Sequence, residues 1–131
     1  MSNQPIGKII LDEAAIASGV RQVAAQLNRD FSDAVVITVV PGGILFTADL
    51  TRQLDFDISM DYISCPHTPG ERHNDSTIVY HQNIDITNRH VILIDDAIES
   101  GGTMKRLVAH LADNYHPASV SVADRKSTRL N

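Results

Sequence analysis

The sequence of 131 residues has no tryptophan, one cysteine and no cluster of basic residues. A single cysteine, Cys65, excludes a disulfide framework within the chain. No apolar run approaches the roughly 18 residues that a membrane-spanning helix needs, and the first residues, MSNQP, have no apolar signal core. A net charge of −5 argues against a nucleic-acid or anionic-membrane surface. We therefore expect one cytoplasmic domain with neither nucleic acid nor membrane as a partner.

The order of predicted helices and strands indicates the fold class. Apolar residues three or four apart predict helices over residues 11–31, with Asp12 as N-cap, 44–54 and 103–115. Apolar or alternating runs predict strands over residues 34–40, 56–64, 77–84, 90–95 and 119–123. Residues 65–76 have two prolines and no periodicity, so they predict a loop. Such alternation predicts an α/β fold with a parallel β-sheet flanked by helices.

Two of the predicted strands run into glycine-containing loops that begin helices. Pro41-Gly42-Gly43 follows the first strand, and Asp95-Asp96-Ala-Ile-Glu-Ser-Gly-Gly-Thr follows the strand that ends at Ile94. Ligands of parallel sheets bind beyond the carboxyl ends of the strands. We therefore expect both loops to border one crevice.

The stretch Ser100-Gly101-Gly102-Thr103 has the composition of a phosphate-binding loop. The first N–H groups of a helix have no partner inside it, and glycine lets an anion approach them closely. The two hydroxyl groups add donors. The alternative is an ordinary N-cap turn in which Ser or Thr caps the helix.

The acids before this loop need a ligand that tolerates negative charge. Asp95 and Asp96 suit a sugar diol or a ligand that carries Mg²⁺, and the alternative is a solvated acidic turn. A P-loop nucleotidase is excluded because the chain has no G-x-x-x-x-G-K-[ST] motif. Glu99 can act as a general base or stabilise positive charge, or it can be a glutamate favoured by the helix dipole.

The stretch VILIDDAIESGGT, residues 91–103, resembles the signature of the type I phosphoribosyltransferases. VVPGGILFTADL and ASVSVA extend the resemblance to the hypoxanthine-guanine branch, over roughly residues 9–123. The resemblance implies the type I phosphoribosyltransferase fold and transfer of a phosphoribosyl group from 5-phosphoribosyl 1-pyrophosphate to a purine base. It also implies Mg²⁺ as cofactor and a homodimer or homotetramer.

The resemblance also implies a role for each matching residue. Asp95 and Asp96 would hold the ribose hydroxyls and act indirectly on Mg²⁺ through the sugar pyrophosphate. Glu99 would be the catalytic base. The ribose 5′-phosphate would lie against Ser100, Gly101, Gly102 and Thr103, and the pyrophosphate against Gly42 and Gly43.

Three departures separate the sequence from the branch. Glu99 stands where Asp is common, and Pro41 stands where Lys often precedes the glycine pair. A Ser-Tyr pair of the mobile loop has no counterpart in residues 64–75. In that segment, Arg72 and His73 would cover pyrophosphate or belong to a solvated loop. These departures affect the expected substrate preference more than the fold.

The last eight residues, DRKSTRLN, interrupt an apolar strand. The codons GAT CGG AAG AGC ACA CGT CTG AAC encode them, and these codons match a common short-read sequencing adapter. We expect residues 1–123 to be an incomplete phosphoribosyltransferase domain whose C-terminal part is missing, and residues 124–131 to be a non-native tail. A genuine disordered basic tail is the alternative. An inactive fragment and an RNA-binding, nucleotide-sensing regulator of the same fold are the alternative functions.

Overall fold

The computed structural model describes residues 4–65, 77–96, 102–125 and 128–130, and the side chains of residues 17–65, 77–96 and 102–125. The elements are α1 Gln4–Asp30, β1 Asp33–Val40, α2 Ile44–Thr51, β2 Asp57–Ser64, β3 His90–Ile94, α3 Gly102–Tyr115, β4 Ser119–Ala123 and β5 Thr128–Leu130. The predicted α/β fold, a parallel sheet flanked by helices, is confirmed. Among the described residues, no helix is both long and apolar enough to span a membrane.

The sheet has the strand order β2-β1-β3-β4-β5. The first four strands are parallel, and β5 pairs antiparallel with β4. β1 and β3 lie in the interior of the sheet, and their side chains from Val35 to Ile37 and from Val91 to Ile94 are fully buried. Burial on both faces explains why these two strands are continuously apolar in the sequence.

Helices cover the two faces of the sheet separately. α3 packs Met104, Leu107 and Leu111 on one face. α1 and α2 pack on the other face, where Leu27 and Phe46 are among the buried residues. Consecutive crossover helices therefore lie on opposite sides of the sheet.

Two helices differ in length from the prediction. α1 begins at Gln4, so Asp12 lies inside the helix and the predicted N-cap is wrong. Pro5 is compatible with the first turn of a helix, and the apolar spacing of Ile6, Ile9 and Ile10 carries the helical pattern upstream of Asp12. α2 ends at Thr51 rather than at residue 54.

The predicted strand at residues 77–84 is wrong. Only Val79 forms a β-bridge, with Ser64. The segment is instead held by Asp61, a buried β2 residue whose carboxylate accepts hydrogen bonds from the N–H groups of Asn83 and Ile84 and from the Asn83 side chain. A side chain that captures backbone donors competes directly with ladder pairing.

The two ends of the sheet also differ from the sequence pattern. On β2, the buried positions of the second half are Asp61 and Ile63, whereas Met60 and Tyr62 are 48% and 47% exposed. At the opposite end, Thr128–Leu130 of the predicted tail forms β5. The origin of that tail stays a prediction. Of the predicted loop over residues 65–76, only Cys65 is among the described residues.

Candidate functional site

The carboxyl ends of β1 and β3 form the candidate site. The two strands are neighbours in the sheet, but the chain leaves β1 for α2 on one face and β3 for α3 on the other. A crevice opens where adjacent strands send their connections to opposite faces of a parallel sheet. Both glycine-containing loops identified from the sequence therefore leave the sheet at this crevice.

The PGG loop, Pro41–Gly43, makes a tight turn between β1 and α2. The N–H of Gly43 donates to the carbonyl oxygen of Val39 at 2.7 Å, and the N–H of Ile44 donates to that of Pro41 at 3.3 Å. Pro41 and Gly42 are exposed and Gly43 is buried. A Cβ atom added to Gly42 would lie 3.4 Å from Oδ1 of Asp95. The structure thus brings the predicted pyrophosphate loop beside the predicted ribose acids.

Asp95 and Asp96 follow β3 directly. The N–H of Asp95 extends the pairing with β4 by donating to the carbonyl oxygen of Ala123 at 3.1 Å, and the N–H of Asp96 donates to Oδ1 of Asp95 at 2.7 Å. Burial raises the pKa of Asp95, and the charges of Asp96 and Asp124 raise it further against the opposing hydrogen bond from Asp96. Asp95 is therefore easier to protonate than an ordinary aspartate.

Two residues of the predicted tail, Asp124 and Arg125, lie close to the acids that follow β3. Arg125 forms an ion pair with Asp96 through its Nε and Oδ1 atoms, and its N–H donates to the carbonyl oxygen of Asp96 at 3.3 Å. Asp124 is buried. The carbonyl oxygen of Arg125 also packs against α1, since a Cβ atom on Gly19 would lie 2.6 Å from it. The prediction that residues 124–131 are foreign to the fold leaves no place for this arrangement.

The remaining predicted site residues are described only in part. Glu99, Ser100 and Gly101 lie outside the described residues, as do Arg72 and His73. Gly102 and Thr103 begin α3, so the predicted phosphate loop leads into a helix N-terminus. Their roles stay predictions.

Magnesium requires oxygen ligands in octahedral geometry and commonly keeps several waters. The described residues contain no group of three or more side chains that could hold a metal ion. Asp95 and Asp96 are two carboxylates, and Arg125 already pairs with one of them. The donor set fits an ion that a phosphate-containing ligand brings with it, rather than an ion held by the protein alone.

Comparisons with known proteins bear on this site. A family model for the phosphoribosyl transferase domain matches residues 7–130. The chain belongs to the phosphoribosyl transferase domain family. The match includes both glycine-containing loops and also most of the predicted tail. The family predicted from residues 91–103 is thereby confirmed.

Two relatives of this phosphoribosyl transferase domain have the names of purine phosphoribosyltransferases. The hypoxanthine-guanine-xanthine phosphoribosyltransferase of Tritrichomonas foetus is 32% identical over 118 residues, which are 88% of this chain and 64% of that protein. The hypoxanthine-guanine phosphoribosyltransferase of Streptococcus pneumoniae is 28% identical over 127 residues, 94% of this chain and 70% of that protein.

A solved structure gives the same result for the fold. A crystal structure of a hypoxanthine-guanine phosphoribosyltransferase from Bacillus anthracis superposes with a TM-score of 0.75 at 29% identity, covering 86% of this chain and 65% of that one. The chain thus spans slightly less than two thirds of the length of the Tritrichomonas foetus and Bacillus anthracis proteins. The predicted type I phosphoribosyltransferase fold is confirmed.

Proposed function

We propose that the chain carries the sugar-pyrophosphate half of a purine-salvage phosphoribosyltransferase and acts in the cytoplasm. The reaction would transfer the 5-phosphoribosyl group of 5-phosphoribosyl 1-pyrophosphate to hypoxanthine or guanine, giving the nucleotide and pyrophosphate. One observation carries this proposal: the PGG loop and the Asp95-Asp96 pair border a single crevice, with Gly42 beside the Asp95 carboxylate. The names of the relatives agree with it.

Each residue of the proposed site has its own role. Asp95 and Asp96 would accept hydrogen bonds from the ribose hydroxyls, since both leave β3 next to the PGG loop. The segment Ser100–Thr103, whose last two residues begin α3, would hold the 5′-phosphate through N–H and hydroxyl donors. The Gly42 end of the PGG loop would face the pyrophosphate.

Chemistry at C1 of the ribose requires that positive charge develop as the bond to pyrophosphate breaks. Glu99, which the sequence places between the acid pair and the phosphate loop, would accept or share the N7 proton of the purine while N9 attacks. A carboxylate in that place also stabilises the cationic ribose. Bound Mg²⁺ would neutralise charge on the pyrophosphate leaving group. Residues 65–75 would cover the crevice and exclude water.

The phosphate loop gives the first test of this function. Gly101→Val is expected to abolish binding of magnesium 5-phosphoribosyl 1-pyrophosphate in calorimetry, because a β-branched side chain would fill the space that the 5′-phosphate needs. Ala109→Val is the matched control, since Ala109 is an exposed residue of the following helix. Unchanged binding in Gly101→Val would remove the phosphate loop from the proposal.

A homodimer or homotetramer is also part of the proposal. Four large apolar side chains on one side of the molecule are between 47% and 75% exposed: Ile44, Leu45, Met60 and Tyr62. Met60 and Tyr62 pair with β1 residues Val36 and Thr38, and α2 contacts the same region through the Thr47–Thr38 hydrogen bond. This apolar surface would form the contact between subunits, and the mass in solution measured by light scattering tests it.

We propose further that residues 124–131 are not native and that residues 1–123 are an incomplete domain. The adapter codons and the interrupted apolar strand support this view. Independent sequencing of the gene across codon 124 decides the question, and a stop codon directly after the codon for Asn131 would contradict the proposal.

A further inference from the structure

The side chain of Arg106 extends from α3 towards the carboxyl end of β2. Arg106 lies in the second turn of α3, four residues after Gly102 begins the helix, and it is partly buried. Its Nη1 donates to Sγ of Cys65 at 3.6 Å. Cys65 directly follows Ser64, the last residue of β2. The guanidinium group therefore lies at the same edge of the sheet as the two loops that border the crevice.

The contact with Cys65 places this cation at the end of β1. β1 lies between β2 and β3 in the sheet, and α3 follows β3 in the chain. Neighbouring strands lie about 4.8 Å apart, so a side chain that runs from α3 to the end of β2 passes the end of the strand between them. Ser64 pairs with Val40, the residue that precedes the PGG loop. Arg106 thus reaches the crevice from the face of the sheet that carries α3.

The surroundings of Arg106 on this face are apolar. Met104 and Leu107 of the same helix are buried in the core cluster that also contains Val39, near the end of β1. Cys65 packs against the same cluster. A charge that borders an apolar cluster is less screened by water than a charge on an open surface, so it attracts an anion more strongly.

The charges at this edge of the sheet favour a contact between Arg106 and an anionic ligand. Asp95 and Asp96 place two carboxylates directly after β3, and the PGG loop has no charged side chain. A phosphate-containing ligand beside these acids needs a cationic partner. A guanidinium group presents paired N–H donors in a plane that matches the oxygens of a phosphate group. The thiol of Cys65 is a weak acceptor, so a phosphate oxygen can replace it at little cost.

We propose, building on the sugar-pyrophosphate function above, that Arg106 is a further binding residue of the crevice and that its guanidinium group donates to the pyrophosphate group. The PGG loop and Arg106 approach this group from the α2 side and the α3 side of the sheet respectively. The 5′-phosphate belongs to the loop that leads from β3 into α3. Arg106 therefore contributes to the affinity for pyrophosphate and not to the affinity for ribose 5-phosphate.

Calorimetry on variants of two neighbouring cations tests this assignment. Arg106→Gln should weaken magnesium pyrophosphate by about tenfold or more, as expected when a charge-assisted hydrogen bond is lost. Lys105→Gln removes the same charge from an exposed position of the same helix, so it should weaken binding by less than about twofold. Arg106→Lys should give an affinity between these two, because lysine keeps the charge without the planar pair of donors. Equal affinities of Arg106→Gln and Lys105→Gln would overturn the proposal.

Cys65 provides a second measurement in the unaltered chain. It is the single cysteine of the sequence, so alkylation by iodoacetamide reports on one place. Saturating magnesium pyrophosphate should slow alkylation by at least about threefold, because an anion bound to Arg106 restricts access to the thiol. The same protection should remain in Lys105→Gln. An unchanged rate in the unaltered chain would overturn the proposal, and this measurement decides even if Arg106→Gln does not fold.

Ribose 5-phosphate separates this inference from the function on which it rests. Its affinity should be the same in Arg106→Gln and in the unaltered chain. An equal loss of affinity for both ligands would overturn the assignment of Arg106 to pyrophosphate, because the substitution would then disturb the crevice as a whole. Normal binding of both ligands by Arg106→Gln would leave the function standing and overturn the inference. If the unaltered chain binds neither ligand, the proposed function is wrong, and the inference is wrong with it.

Discussion

Arg125 pairs with Asp96 at the carboxyl ends of β4 and β3, through both its side chain and its backbone N–H. The ion pair engages Oδ1 of Asp96, a buried atom that accepts no hydrogen bond among the described residues. A residue of the tail thus competes with the proposed substrate for one of its acids.

The first prediction follows from that competition. Arg125→Gln is expected to tighten binding of magnesium 5-phosphoribosyl 1-pyrophosphate by about two- to fivefold, since partly exposed ion pairs contribute only about 0–1 kcal/mol. Calorimetry at constant ionic strength measures the change. Arg89→Gln is the control, because Arg89 pairs with Asp33 on the opposite edge of the sheet. Weaker binding in Arg125→Gln would mean that the arginine orients Asp96 for the sugar.

The second prediction concerns the raised pKa of Asp95. Burial is the main cause and Asp124 contributes, so Asp124→Asn should move the Asp95 pKa down towards its ordinary value of 3.8. As the pH falls, Asp95 of the unaltered chain is protonated at a higher pH than an ordinary aspartate. The affinity for the sugar pyrophosphate should decline with that protonation. Titration of the Asp95 ¹³Cγ signal measures the pKa, with exposed Asp113→Asn as control. An unchanged Asp95 titration in Asp124→Asn would exclude the tail acid as a cause.

The third prediction concerns Glu99. In a chain that completes phosphoribosyl transfer, Glu99→Gln should lower kcat by about 10²-fold while leaving sugar-pyrophosphate affinity near normal, as expected for a group that acts in the transition state. Nucleotide formation from hypoxanthine gives kcat, and calorimetry gives the affinity. An equal loss in both quantities would assign Glu99 to substrate binding, and an unchanged kcat would remove it from the mechanism.

The fourth prediction concerns stability and the buried Asp61. Burial alone would raise its pKa, but hydrogen bonds from the Asn83 side chain and from the N–H groups of Asn83, Tyr62 and Ile84 together outweigh burial, so the pKa is lowered. A lowered pKa contributes stability that is present above the ordinary value of 3.8 and is lost as the pH falls through the folded-state value.

Asp61→Asn should therefore lower the free energy of unfolding at pH 7 by about 2 kcal/mol. The substitution replaces one carboxylate oxygen by an NH₂ group, which cannot accept the N–H donors of residues 83 and 84. It should also reduce the loss of stability in acid. Denaturant unfolding at pH 7 and at pH 3 measures both effects. Asp57→Asn, at an exposed position of the same strand, should change neither. Equal acid sensitivity in Asp61→Asn and the unaltered chain would count against the network.

The sequence predicted the parts of the fold that depend on local pattern. β1 and β3 are continuously apolar because both of their faces are buried, and the glycine loops after them mark the carboxyl edge of the sheet. The placing of Gly42 beside Asp95 could be inferred from that edge alone. The difference between Gly42 and Gly43 could not, because it depends on which backbone oxygens lie behind each glycine.

The features that the sequence did not predict share a physical cause, which is contact between distant parts of the chain. Residues 77–84 have strand-like composition, but Asp61, more than fifteen positions earlier, takes the N–H groups that a ladder would use. Arg125 and Asp96 meet only because β4 pairs with β3. No periodicity within a single segment indicates either contact.

The contact between Tyr80 and Tyr115 gives the molecule a built-in optical reporter. The chain has three tyrosines and no tryptophan, so its ultraviolet emission comes from tyrosine alone. Tyr80 packs edge-on against Tyr115 with ring centroids 5.0 Å apart, and burial together with the Asp61 charge raises the pKa of Tyr80. Release of residues 77–86 from the end of α3 would change the emission of two of the three fluorophores. Stopped-flow fluorescence can therefore time the undocking of that segment without any label.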